Sequence, residues 1–133
     1  MRIGLVSLFV DDQEKARKFY TEAVGLRIKT DAPYGPEERW ITVVSPDDPD
    51  GVEVALHVSD DAARAFQQAA RVAGRPSLGL SSDDAQRDYE RLRANGVEFS
   101  MPPTRMDYGG TDAVFDDTCG NLINLHQDWV QSA

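Results

Sequence analysis

Residues 6–26, VSLFVDDQEKARKFYTEAVGL, read as a strand, a helix cap, a helix and a stop. The apolar run begins at Ile3, and its alternation puts Val6, Leu8 and Val10 on one face. Asp11-Asp12 offers a side-chain acceptor for the first free helical N–H groups. Gln13 to Val24 then carries Ala16, Phe19, Tyr20 and Ala23 at helical spacing, and Gly25 ends the helix. Strand signals follow at Leu26–Thr30, Arg39–Val44 and Val52–Val58. The loops between them, DAPYGPEE (31–38) and SPDDPDG (45–51), are rich in Pro, Gly and Asp.

The same order recurs further along. Ser77 to Ser82 is a weaker strand, Asp83-Asp84 a second cap, and Ala85 to Ala94 a second helix with Tyr89 and Leu92 inward. Gly96 stops it, Val97-Glu98-Phe99 starts a strand, and Thr111–Phe115 and Leu122–Gln127 are two more. Asp12 maps onto Asp84 at an offset of 72, and Gly25 onto Gly96 at 71. The chain is therefore expected to be one domain, 1–133, built from module one (1–58), a connector (59–75) and module two (76–133). Within the connector, Asp60 to Gly74 reads as a short helix. The expected fold class is α+β: two tandem βαβββ modules whose curved, mostly antiparallel sheets form a cup, with helices on the outer face.

Fourteen Lys+Arg against 23 Asp+Glu leave a net charge of −9. That sign disfavours nucleic acid and anionic membrane surfaces as partners and suits a cationic ligand. Ile3 to Val10 is too short to span a bilayer and lacks a signal-peptide pattern, so the expected location is cytoplasmic. The single Cys119 cannot form an internal disulfide and reads as a turn residue.

The repeat also assigns faces. Leu5 pairs with Ser77 in the first strands, and Glu53 with Asn124 in the last. All four fall opposite the helix-packed residues, on uncovered faces where a small-molecule site can form. The turn and strand DDTCGNLINLHQ (116–127) extends this, because Gly120 is free to take positive φ and Asn124 and His126 share the open face. The inferred cup carries Ser7, Phe9, Glu53, His57, Ser77, Asn124 and His126, joined by Trp40 and Thr42 from the Arg39–Val44 strand. Tyr108, in RMDYGGTD (105–112), either closes over a ligand or covers a sheet edge.

VSLFVDDQEKARKFYTEAVGL, DDAQRDYERLRANGVEF (83–99) and FDDTCGNLINLHQ (115–127) resemble the vicinal oxygen chelate superfamily of glyoxalase I, bleomycin-resistance proteins, extradiol dioxygenases and fosfomycin-resistance enzymes. In metal-dependent members, the resemblance implies a His at the start of each module's first strand and a Glu on each last strand, holding Fe, Mn, Ni or Zn. Here Leu5, Ser77 and Asn124 stand at three of those positions, and only Glu53 remains. His57 lies four residues from Glu53 on one strand face, about 13 Å away at roughly 3.3 Å per residue. His126 lies two residues from Asn124, and a cross-strand pairing of Glu53 with His126 stays open. No metal and no cofactor are expected.

The resemblance implies a metal-independent small-molecule binder of the bleomycin-resistance type, taking a cationic or aromatic compound. The ligand-binding residues would be Ser7, Phe9, Trp40, Glu53, His57, Ser77, Asn124 and His126, with none catalytic. Enzymes remain the alternative: a metal-independent one with Glu53 or a histidine as general base, or a metal-dependent glyoxalase-like lyase or dioxygenase. The family habit also implies a homodimer with two clefts, sometimes with modules exchanged between chains.

Overall fold

The computed structural model describes residues 1–128; the last positions of the expected second module, 129–133, lie outside them. The elements run β1 (Leu5–Val10), α1 (Gln13–Lys18) continued by a π-helical turn (Phe19–Val24), β2 (Arg27–Tyr34), β3 (Glu38–Val44), β4 (Glu53–Val58) and α2 (Asp61–Val72). After these come β5 (Leu78–Ser81), α3 (Ala85–Ala94), β6 (Phe99–Met106), β7 (Gly110–Asp116) and β8 (Leu122–Asp128). They form two four-stranded mixed sheets, ordered β1-β4-β3-β2 and β5-β8-β7-β6, in an α+β fold. In each sheet the first and last strands pair in parallel and the other neighbours antiparallel.

Aspartate begins each helix. Asp12, Asp60 and Asp84 accept the backbone N–H of Lys15, Ala63 and Arg87 at 3.0, 2.8 and 3.0 Å. Gly25, at φ +99°, ends the first helix in the left-handed region. Three details differ from the expected pattern. β2 continues through Asp31–Tyr34, so much of the expected loop is strand, closed by a turn containing Gly35 at φ +73°. Val6 is 40% exposed, although Leu8 and Val10 on the same strand face are buried. Val97 lies in the link between α3 and β6, outside the strand, and is buried in the core.

One hydrophobic core serves both modules. It joins Leu8, Val10, Ile41, Val43 and Leu56 of the first sheet to Ala113, Phe115, Ile123 and Leu125 of the second, with Tyr20 and Leu92 from the helices. The Phe19 and Phe115 rings lie 6.2 Å apart, so the first helix touches the second sheet. At the far end of the helices, Asn95 donates to the Ala23 carbonyl at 3.0 Å and Arg91 to the Val24 carbonyl at 3.1 Å. The helix-bearing sides of the sheets therefore face each other, and the uncovered sides look outward.

A polar knot ties this seam. The carboxyl group of Asp117, 0% exposed, accepts from Tyr20 O–H at 2.5 Å, Cys119 N–H at 2.7 Å, Asn121 N–H at 2.9 Å and Asn121 Nδ2 at 2.8 Å. Asn121 Nδ2 and Gln67 Nε2 both reach the Phe9 carbonyl at 2.8 Å. Gly120 takes φ +106° in this turn, beside Gln67. Burial pushes the Cys119 thiol up to about 12, which keeps it protonated and unreactive and accords with a turn role.

Candidate functional site

The open face of the first sheet is a row of rings across four strands. The register sets Phe9 beside His57, and Ala32 beside Trp40. Ring centroids are 5.8 Å apart for Phe9–His57, 5.6 Å for His57–Trp40 and 6.1 Å for Trp40–Tyr34. Water reaches the row, since Phe9 is 38% and Tyr34 60% exposed. Beneath it Ser7 Oγ lies 3.2 Å from His57 Nε2, and the buried Thr42 hydroxyl donates to Glu53 Oε1 at 2.8 Å.

Gln13 supports the row from below. Its Nε2 donates at 2.7 Å to the carbonyls of Arg39 and Leu56, the residues preceding Trp40 and His57, and its Oε1 accepts from Arg39 N–H at 3.1 Å. Gln13 is buried and sits in the first turn of α1. A polar residue at the start of an amphipathic helix was the only trace of this role in the sequence.

The open face of the second sheet is polar. His126 Nδ1 lies 2.5 Å from Asp112 and Nε2 2.8 Å from Asp128. Two carboxylate partners favour the protonated ring, in which both nitrogens donate. Asp112 first, then Asp128, raises its pKa above the ordinary 6.5. The Tyr108 ring stands 6.5 Å away. Gly110 makes room below, where an added Cβ would lie 2.4 Å from His126 Cε1. Asn124, half-buried, shares this face in register with Gly79 and Val114.

A group whose folded pKa is raised stabilises the fold fully below its unfolded value and loses that contribution as pH rises through the folded value. Wild type should therefore exceed Asp112→Asn in stability most near pH 6, with the gap narrowing towards pH 9. Urea denaturation across that range measures the gap, and an NMR midpoint for His126 at or below 6.5 would contradict the assignment.

The expected site residues thus divide. Ser7, Phe9, Trp40, Glu53 and His57 share one face, and Asn124 and His126 share the other. Ser77 lies exposed at the start of β5, beside a cleft that also touches Ser7 and Phe9. Tyr34 was missed because its Pro and Gly neighbours read as loop. Asp112 was missed although it alternates with the buried Ala113 and Phe115.

The strand registers correct one expected pairing: Ser7 lies beside Ala55 as its counterpart Gly79 lies beside Asn124, so Asn124 is equivalent to Ala55 and not to Glu53. The side chains of Leu5, Glu53, Ser77 and Asn124 offer one carboxylate, two neutral oxygens and no imidazole, a set that does not fit a divalent metal. His126 turns its two nitrogens to separate carboxylates, so these three groups do not converge on one point. Among the described residues no three His, Cys, Asp or Glu side chains are placed to hold a metal ion.

Residues 2–125 match the family model of the Glyoxalase/Bleomycin resistance protein/Dioxygenase superfamily. The chain belongs to this superfamily. It is 46% identical over 128 residues to the Bacillus subtilis protein YurT, covering 96% of this chain and 99% of that one. Among solved structures of the superfamily fold, UcmS2 is 32% identical with a TM-score of 0.80, over 95% of this chain and 97% of that one. TnmS3, an antibiotic binding protein from Streptomyces sp. CB03234, is 30% identical with a TM-score of 0.76, over 96% of each chain. Members share a scaffold rather than a reaction, so the side chains on the open faces carry the functional argument. Among the described residues, no helix is long and apolar enough to cross a membrane.

Proposed function

We propose that the protein is a metal-independent binder of a planar aromatic small molecule, held without chemical change. The observation that carries this reading is the row Phe9–His57–Trp40–Tyr34, whose centroid spacings of 5.8, 5.6 and 6.1 Å present a continuous ring surface to solvent. Such a row costs little side-chain entropy to order and stacks flat ligands without demanding one hydrogen-bond pattern. Likeness to an antibiotic binding protein supports the same reading. Asp47 and Asp83, which line the pocket beside His126, suit a cationic substituent on the ligand.

Because the two open faces look outward within one chain, the complete cup is formed by two copies. The ring row of one copy meets the His126 face of its partner, giving two cups per homodimer. β1 is an edge strand whose Leu5 and Val6 are 47% and 40% exposed, an apolar edge suited to burial against a second copy.

A mixing experiment tests both statements. Trp40→Ala and His126→Ala chains each lose ligand quenching of tryptophan fluorescence when alone. Mixed in equal amounts and allowed to exchange, they form heterodimers with one cup free of either substitution, and about a quarter of the wild-type capacity returns. No recovery after demonstrated exchange would place the site within one chain. No saturable binding of any planar aromatic compound to wild type would remove the binder reading.

A further inference from the structure

A cleft of about 290 Å³ lies between the edge of β1, helix α2 and the start of β5. Its walls are the rings of Phe9 and Phe66, with Ala70 and Pro76, and its polar groups include Arg75 and Ser77. The volume is at the small end of ligand clefts, which run roughly 300–1,000 Å³, and fits one ring with a short substituent.

Charge sets this cleft apart. No carboxylate lines it, although the whole chain carries −9, whereas the pocket beside His126 is lined by Asp47, Asp83 and Asp128. The Arg75 side chain has no hydrogen-bond or ion-pair partner among the described residues. Its backbone is fixed, because Arg75 N–H donates to the Ala70 carbonyl at 2.8 Å as α2 ends. Phe66 stands 65% exposed at the other wall, held on the same helix. The remaining polar wall is already satisfied, since Gln67 and Asn121 spend their amides on Phe9, Ser59 and Asp117. A ligand here meets an apolar slot with a cation on an anchored backbone and the hydroxyls of Ser7 and Ser77 at its rim.

We propose that this cleft binds a small aromatic carboxylate, its ring between Phe9 and Phe66 and its carboxylate on Arg75 and the Ser77 hydroxyl. The guanidinium fork matches a carboxylate in two parallel hydrogen bonds, and the surrounding apolar walls strengthen them. The cleft shares Phe9 and Ser7 with the first open face, but its cation, Arg75, and its second ring, Phe66, come from the connector.

The test is an amide NMR titration of the full chain with benzoate, and with benzamide and benzylamine as neutral and cationic counterparts. Benzoate should saturably shift residues 7–9, 66–70 and 75–77, and benzamide should bind about tenfold more weakly. Arg75→Gln should weaken benzoate about tenfold and Phe66→Ala comparably; both positions are exposed, so thermal stability should stay near wild type. Trp40→Ala should leave these shifts intact, so failure of the cup reading and failure of this one are distinguishable. Equal or tighter binding of benzylamine, an Arg75→Gln chain with undiminished affinity, shifts confined to Trp40 and His57, or no shifts because a second copy covers the cleft would each overturn the proposal.

Discussion

Asp117→Ala will lower the stability of the protein by about 4 kcal/mol and its Tm by roughly 10–20 °C, with the fold lost near physiological temperature if the starting stability is modest. The cause is the number of donors left behind. Tyr20 O–H, Cys119 N–H, Asn121 N–H and Asn121 Nδ2 all end on this one fully buried carboxyl group. Each buried donor without an acceptor costs on the order of 1–3 kcal/mol, partly relieved by water entering the space. Two milder variants calibrate the claim. Asp117→Asn keeps acceptor oxygen and should lose about half as much. Tyr20→Phe removes one donor while the other three remain paired, and should lose about 1 kcal/mol. Desolvation and the neighbouring Asp117 already raise the Tyr20 phenol well above its ordinary value, so it donates its proton throughout the accessible pH range. Thermal or urea unfolding reads all three. An Asp117→Ala chain within about 1 kcal/mol of wild type would mean that the knot does not hold the modules together.

The second large effect is on binding. Trp40→Ala should weaken a planar aromatic ligand by about 2 kcal/mol, roughly thirtyfold in Kd, because it removes the centre of the ring row. Trp40 touches both His57, at 5.6 Å between centroids, and Tyr34, at 6.1 Å, so its loss splits the surface into two pieces. Trp40→Phe should keep most of the affinity, since a smaller ring preserves the continuity. His57→Ala should fall between them. The backbone beneath Trp40 is pinned through Gln13 to Arg39, so these variants should change Tm by much less than Asp117→Ala. Calorimetric titration gives the affinities, and equal binding by wild type and Trp40→Ala would move the site elsewhere.

What could be read from the chain follows from how local each signal is. An aspartate cap, a terminating glycine and an alternating strand each depend on a few neighbouring residues. Asp12, Asp84, Gly25 and Gly96 therefore marked both helices, and their 71–72 residue spacing revealed the duplication. Alternation likewise placed Phe9, His57 and Trp40 on one open face, and pair geometry across β1, β4 and β3 brought them together. Where local chemistry misleads, the reading failed for the same reason: Pro33 and Gly35 masked the strand that carries Tyr34.

Long-range arrangement was not legible in that way. Nothing local to Phe19 says that its ring meets Phe115, and nothing local to Asp117 says that it receives Tyr20. Those contacts turn the helix-bearing sides of the two sheets together and the open faces apart, which separates Glu53 from Asn124 within one chain. By itself the sequence determined the elements, their duplication and the residue types on each open face, while the register of the last strands, which makes Asn124 the counterpart of Ala55, was not legible in it. Only the tertiary structure decided which faces meet, because that choice sums many weak non-local contacts and a few buried hydrogen bonds, none of which leaves a periodic trace in the chain.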